Sequence, residues 1–428
     1  MPPASSGASA THAAALSSSS PAADSRLTPG GAGYRRMSFA LFLAGVATFA
    51  LLYSTQALLP LVSADFGASA STASWTVSAA TGALALFVLP LSALSERFGR
   101  RAMMTASLGV AVAVGLLVPF APSVEVLIAL RAVQGAALAG LPASAMAFLA
   151  EEVRPKALVG AIGMFVAGNS IGGMSGRIIT GWVAQAWGWR AALAVVGVVA
   201  VLCAVAFRAL LPAPRHFTPG SLNPRALART VRTHLSDPLL CRLYAIGALF
   251  MTVFGAVYTV IGYRLTEAPF SLPQGVIGSI FLVYLVGTVS SAAAGKLVAR
   301  LGRRGALYLA VGTTAGGLLL SLSASLALVL LGLVLITAGF FAGHAVGVVV
   351  GEPDGHDRAG AGLGPLPVGV LPGLQRGRRA RRGRLPRGRL GRDGGARAIA
   401  VLGVVSVTVW GSHAARVERR RGLVARSC

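Results

Sequence analysis

Charge is scarce in this chain. Only 12% of its 428 residues are Asp, Glu, Lys or Arg, and just 13 of those are acids. Set against a 55% hydrophobic share and a mean hydropathy of +0.72, this excludes an ordinary soluble domain and describes a chain that mostly prefers hydrocarbon to water. Cysteine is nearly missing. Cys203, Cys241 and Cys428 form neither a CxxC pair nor a disulfide framework and read as small apolar fillers. The six histidines are scattered, with no HExxH and none beside a nucleophile, so an enzyme would lack its ligand or triad set. The expectation is therefore no enzymatic activity, no cofactor and no metal. Lysine is reduced to Lys156 and Lys296, a bias expected of a GC-rich genome.

What the chain has instead is long apolar runs. Roughly 20 residues at 1.5 Å each cross a 30 Å hydrocarbon core, and runs of that size fall at 37–62, 73–94, 102–120, 124–146, 157–180 and 190–211. After a hydrophilic stretch, four more fall at 241–263, 275–295, 305–322 and 326–346. The domain reading is a disordered cytoplasmic leader (1–36), an N-terminal six-helix bundle (37–211), a cytoplasmic middle loop (212–240), a C-terminal bundle (241–412) and a basic cytoplasmic tail (413–428). The leader is Ala/Ser/Pro/Gly-rich and lacks the basic start and apolar core of a secretory signal. The net charge of +25 would suggest nucleic acid in a soluble protein, but here it falls on alternate loops. Arg97, Arg100 and Arg101, then Arg154 and Lys156, then the middle loop, then Lys296, Arg300, Arg303 and Arg304 carry it, while the intervening loops near Asp65, Glu125 and Ser323 carry none; Arg190 and Arg264 are exceptions at span ends, where a long side chain can snorkel. By the positive-inside rule both termini are cytoplasmic, the partner of the charge is the lipid bilayer, and no nucleic-acid partner is expected.

Two short basic turns organise the rest. Ser92–Arg101 reads SALSERFGRR, and a second copy, GKLVARLGRR, begins 203 residues later at Gly295. Two copies of one loop in two apolar halves imply an internal repeat. The fourth run holds Arg131 with Gln134 and Gly135 on the following turn. A mid-membrane charge costs at least about 2.5 kcal/mol, so Arg131 either faces a cavity or bonds helix backbone oxygens. The fifth run reads GNSIGGMSGR, with Gly168, Gly172, Gly173 and Gly176 spaced for close helix packing. In the first run Tyr53 and Gln56 share a helical face, as cavity lining or as interhelical hydrogen bonds. His344 titrates near neutrality and reads as a proton carrier or as an interfacial residue. No acid stands at the middle of any run, so no coupling carboxylate is identified.

These motifs resemble the major facilitator superfamily in its twelve-helix drug and sugar efflux branch. Ser92, Leu94, Glu96, Arg97, Gly99, Arg100 and Arg101 follow the family's signature loop, with Ser92 at the usual glycine and Glu96 at the usual aspartate. Gly295, Leu297, Arg300, Gly302, Arg303 and Arg304 follow it again, with Ala299 replacing the acid. Arg131, Gln134 and Gly135 are similar to its Arg-x-x-Gln-Gly motif. The glycines resemble its antiporter motif, although Asn169 stands where that motif has proline. The resemblance implies an all-α inner-membrane protein of two six-helix bundles, a monomer that works by alternating access. It further implies proton-coupled export of a small organic solute, with the Glu96 and Arg97 loop as a gate latch, Arg131 as a coupling residue, and Tyr53 and Gln56 lining the path. Uptake, facilitated diffusion, or a non-transporting receptor or scaffold are the alternative readings.

After Val346 the pattern fails. Residues 347–397 hold eleven arginines together with Pro353, Pro365, Pro367, Pro372 and Pro386, and no apolar piece there is long enough to cross. Ala398–Trp410 is apolar again, but crossing alone it would carry the arginine tail outside, against the charge rule. The segment is a basic lipid- or nucleic-acid-binding insertion, a functionless disordered loop, or the product of a reading-frame error that corrupts helix 11. With codons chosen freely, a one-base shift permits a polar loop, a proline-free apolar span and a short turn, which repairs both span count and charge topology. Resequencing codons 340–400 is expected to show a compensating pair of single-base differences; an unchanged sequence would contradict the frameshift.

Overall fold

The computed structural model describes residues 26–220, 224–236 and 238–350; the readings of the leader before Arg26, of 351–397 and of the tail lie outside them. The described residues are almost wholly helical, with a lone β-bridge between Leu27 and Val153. The first half contains α1 (Ala32–Tyr53), α2 (Leu59–Asp65), α3 (Ala70–Phe98), α4 (Arg100–Leu117), α5 (Val124–Leu138), α6 (Gly140–Glu152) and α7 (Pro155–Leu210). The second contains α8 (Pro224–Ser236), α9 (Pro238–Thr266), α10 (Gln274–Ser279), α11 (Tyr284–Leu320) and α12 (Leu326–Val350). Eight helical stretches among the described residues are long and apolar enough to cross a membrane.

Glycine backbone divides the longest of them. At 56 residues, α7 would extend about 84 Å, far beyond one crossing. Gly188 interrupts it at φ 79°, ψ 170°, giving two arms. Gly302 does the same to α11 at φ 67°, ψ 166°, and Gly99 at φ 95°, ψ 138° joins α3 to α4. Positive φ is open to glycine at little cost, so the glycines of the two basic turns, 203 positions apart, make the same reversal in each half. The two arms of α7 give six crossing segments in the first half; the second contributes Gly247–Thr266, Gln274–Gly302 and Leu326–Val346, with the second arm of α11 running on to Leu320.

Two boundaries differ from the sequence reading. The first run is broken after Tyr53 and resumes as a short 3-10 turn, Gln56–Leu58, before α2. Pro60 supplies a reason, because it has no N–H for the Gln56 carbonyl four residues back. Tyr53 and Gln56 are thus neighbours across a break, not points on one continuous helix. The middle loop contains the amphipathic helix α8, with Arg229 and Arg232 exposed one turn apart.

The tightest seam runs between α1 and α7. A Cβ on Gly168 would lie 2.3 Å from the Phe42 carbonyl oxygen, on Gly172 2.2 Å from that of Val46, and on Gly176 2.8 Å from the Ala50 Cα. The contacts step four residues along both helices, so the backbones touch over more than two turns. Gly135 makes a comparable approach on α3, where an added Cβ would meet the Ala80 oxygen at 1.9 Å. Large apolar side chains such as Phe120, Val159 and Leu319 are 80%, 80% and 71% exposed, as a surface facing lipid requires. Replacing Gly172 with leucine is expected to force α1 off α7 and cost at least about 1–3 kcal/mol. The check is the yield of monodisperse protein in detergent, and a wild-type yield would contradict the seam.

Candidate functional site

Two arginines are buried within the apolar body of the first half, and they are held in different ways. Arg131, on α5, is 0% exposed. Its Nε donates to the Thr76 carbonyl at 3.1 Å and its Nη1 to the Leu51 carbonyl at 2.7 Å. Further bonds run from Nη1 to Gln134 Oε1 and from Nη2 to the Leu52 carbonyl. Gln134 in turn donates to the Ala111 carbonyl at 3.1 Å. The Leu51 and Leu52 carbonyls belong to the last turn of α1, where the break leaves helix acceptors without their usual donors. Arg131 fills that gap, and Gly135 lets α5 come close enough to α3 to do so.

Arg177, on α7, is 2% exposed. Its Nε and Nη2 donate to Gln56 Oε1 at 2.8 and 2.6 Å, and its Nη1 to the Gly173 carbonyl at 2.5 Å. Three aromatic rings cover the guanidinium. The ring centroids of Tyr53, Phe281 and Tyr284 lie 4.2, 4.7 and 5.0 Å from it, within cation–π range. Tyr53 and Gln56 come from the first half, Phe281 and Tyr284 from the second. Gly173 faces this group rather than the α1 seam, with Arg177 Nη1 3.4 Å from an added Cβ. Behind the second-half rings stands an aromatic cluster of Phe254, Tyr258, Phe340 and Phe341, and His344 stacks on Phe340 at 5.7 Å.

The hydrogen bonds that join the halves lie beyond Arg177, toward the Asp65 and Glu267 ends of the helices. Tyr263 donates to the Leu59 carbonyl at 3.0 Å and pairs with the Ser63 hydroxyl at 2.7 Å. Gln274 donates to the Ala57 carbonyl, Gly275 N to Gln185 Oε1 at 2.9 Å, and Trp182 Nε1 to Ser279 Oγ at 2.9 Å. Gly181 and Gly278 let the two backbones meet, since a Cβ on Gly181 would lie 2.8 Å from the Gly278 Cα.

At the opposite end, the first basic turn is tied to its own half. Arg100 donates to Glu151 Oε1 at 3.0 Å and to Ser95 Oγ at 2.6 Å, while half-exposed Glu96 stands 3.9 Å from Arg100. Arg97 lies over the Phe98 ring at 5.8 Å, Ser92 gives its carbonyl to Ser95 Oγ at 2.6 Å, and Arg101 lies in the first turn of α4. The chain leaving α7 folds back beneath this turn. Buried Glu152 accepts from the backbone of Arg215 and His216 at 2.7 and 2.8 Å, and Gly220 N donates to the Glu96 carbonyl at 2.9 Å. In the second copy Gly295 is open around its Cα, Arg300 is exposed and Arg304 half-buried; the side chain of Arg303 lies outside the described residues.

Sequence reasoning missed Arg177, Phe281 and Tyr284, as well as Glu151 and Glu152. Arg177 was signalled, being a charge inside an apolar run at the end of the glycine motif. The acid pair was signalled by its place between an apolar helix and the Arg154–Pro155 turn. Nothing local marks Phe281 and Tyr284, whose role depends on the docking of the halves.

Two bundles of membrane-crossing helices that meet at one end around a polar, centrally placed group define a membrane transport protein. The chain matches the Major Facilitator Superfamily over residues 38–352 and belongs to that family. It is 38% identical to the uncharacterized MFS-type transporter YybF of Bacillus subtilis (strain 168), over 73% of this chain and 78% of that one. It is 40% identical to the inner membrane transport protein YnfM of Escherichia coli (strain K12), over 63% and 65%. A bacterial homologue of the human lysosomal transporter Spinster, in an inward-facing and unoccupied conformation, shares the fold with a TM-score of 0.62 at 16% identity, covering 74% of this chain and 75% of that one. The nucleoside transporter NupG does so with a TM-score of 0.60 at 10% identity, covering 73% and 82%. The chain is a polytopic all-α membrane protein of the major facilitator fold.

Replacing Arg131 with methionine would strand the Leu52 carbonyl in the apolar interior, at about 1–3 kcal/mol, and leave the Leu51 carbonyl to the Ser54 hydroxyl at 3.0 Å. Thermal unfolding of the purified variant is expected several degrees below wild type. An unchanged midpoint would show that these bonds do not carry the helix break.

Proposed function

We propose that this protein exports a small organic solute across the inner membrane by alternating access, in exchange for protons. The observation that carries the reading is that, among the described residues, the hydrogen bonds between the halves lie at one end, with the Arg177 group on their inner side and the basic turns at the far end. By the positive-inside rule the basic turns face the cytoplasm, so the closed end faces outward and a solute would enter from within. Rocking of the halves would open the outer contacts and close the inner end.

Arg131 ties α5 and α3 to the broken end of α1, two residues before the Ser54–Thr55 break and next to Tyr53. In this reading it is a coupling residue, because any rearrangement of the break must reform its bonds to Leu51 and Leu52. The Ser92–Arg101 turn, with Glu96 and Arg97 at its surface, is the inner latch, and its helix 11 partner falls in the segment outside the described residues. The family match ends at residue 352, which supports the view that the arginine-rich segment is not family sequence. The relatives' description as transporters supports transport, and the branch resemblance supports export.

The test uses everted inner-membrane vesicles carrying the full chain, energised to an acid interior. Uptake from a panel of small organic solutes is expected to stop when the pH gradient is collapsed. Uptake that persists after collapse would contradict proton exchange.

A further inference from the structure

Arg177 is a buried cation with no counter-charge among the described residues. The acids among the described residues, Asp65, Glu96, Glu125, Glu151, Glu152 and Glu267, all stand in terminal turns of helices or just beyond them. No carboxylate therefore faces Arg177 inside the apolar body, and no ion pair involves it among the described residues. One amide oxygen, one carbonyl and three ring faces solvate the guanidinium without neutralising it. A charge buried this far normally has a counter-charge, because desolvation without one is expensive.

The groups around it are donors. Gln56 spends its oxygen on Arg177, which leaves its amide N–H groups to point elsewhere. The Tyr53 and Tyr284 hydroxyls have no hydrogen-bond partner among the described residues, and both residues are only partly buried. A guanidinium, an amide N–H and two phenols converge from both halves, beside a wall formed by Phe281 and the rings packed behind it. Donors with one positive charge and no acid suit an acceptor of one negative charge.

We infer that this group is the recognition site for a monoanionic organic carboxylate with a flat apolar body. The carboxylate accepts from the Nη1 and Nη2 hydrogens that Arg177 does not give to Gly173 and Gln56, and the apolar body lies against Phe281 and Tyr284. Contact with both halves makes the anion sensitive to their opening. The inference rests on the transport reading, which supplies the ligand, but it makes a separate claim about charge.

The test is thermal unfolding of the purified full chain in detergent at neutral pH with benzoate, 2-naphthoate and hexanoate, each against its own carboxamide. A ligand that binds the folded state raises the midpoint. At least one carboxylate is expected to raise it at millimolar concentration while its carboxamide does not. Arg177→Gln should remove the shift, and Arg177→Lys, which keeps the charge and loses the fork, should weaken binding about tenfold. If Arg177→Gln does not fold, Arg177→Lys and Tyr284→Phe carry the comparison, the latter keeping the ring and losing one donor. Equal shifts from acid and amide, no shift from any carboxylate, or wild-type binding by Arg177→Lys each overturn the site. Carboxylate binding without flux in proteoliposomes overturns transport and leaves the site standing. Flux of a neutral solute unaffected by Arg177→Lys overturns the site and leaves transport standing.

Discussion

A polar group inside hydrocarbon has no water to turn to, so each must be met by the chain itself. That constraint shapes the first half of this protein. The first crossing helix breaks after Tyr53, the break leaves the Leu51 and Leu52 carbonyls without their usual helix donors, and Arg131 is buried to meet them. The bonds in turn require α5 to lie against α3 without a side chain between, which is why Gly135 sits under the Ala80 carbonyl. The α1–α7 glycine seam then fixes the other side of the broken helix. Tyr53 and Gln56 stand at the centre of the molecule because of this chain of dependencies.

The two buried arginines separate structure from site. Arg131 makes four bonds to oxygen acceptors and has no exposure, and its energetic role is legible without any ligand. Arg177 has fewer acceptors, more aromatic surface and contact with both halves. The halves also differ in how far they echo each other. Gly99 and Gly302 make the same turn, yet the second turn has Ala299 in place of the first turn's acid. An approximate repeat gives the fold its symmetry, and the departures from it hold the polar chemistry.

Much of the fold was legible in the sequence because hydrocarbon imposes length and charge placement on each run. The runs, the alternation of arginine across loops and the repeated turn follow from those rules. Arg131 could be singled out for the same reason, as a charge where none is tolerated without a partner. Arg177 meets that criterion too, but the glycines preceding it point equally to helix packing. The break between Tyr53 and Gln56 is hidden in an unbroken apolar run, since hydropathy does not register a missing N–H at Pro60. Phe281 and Tyr284 could not be found locally, because an aromatic residue in an apolar span carries no mark until the other half is docked on it. The docking of Arg215 and His216 on Glu152 joins residues more than 60 positions apart, and no spacing rule reaches that far.

Alternating access requires halves that separate in turn at two ends. Spin-label distances between Ser69 and Glu267, at the joined end, and between Phe98 and Leu301, at the basic turns, test this directly in the full chain reconstituted in lipid. All four positions are exposed. Two populations are expected, one with a short outer and a long inner distance and one with the reverse. A single pair of distances that stays fixed across pH and added solutes would contradict alternating access.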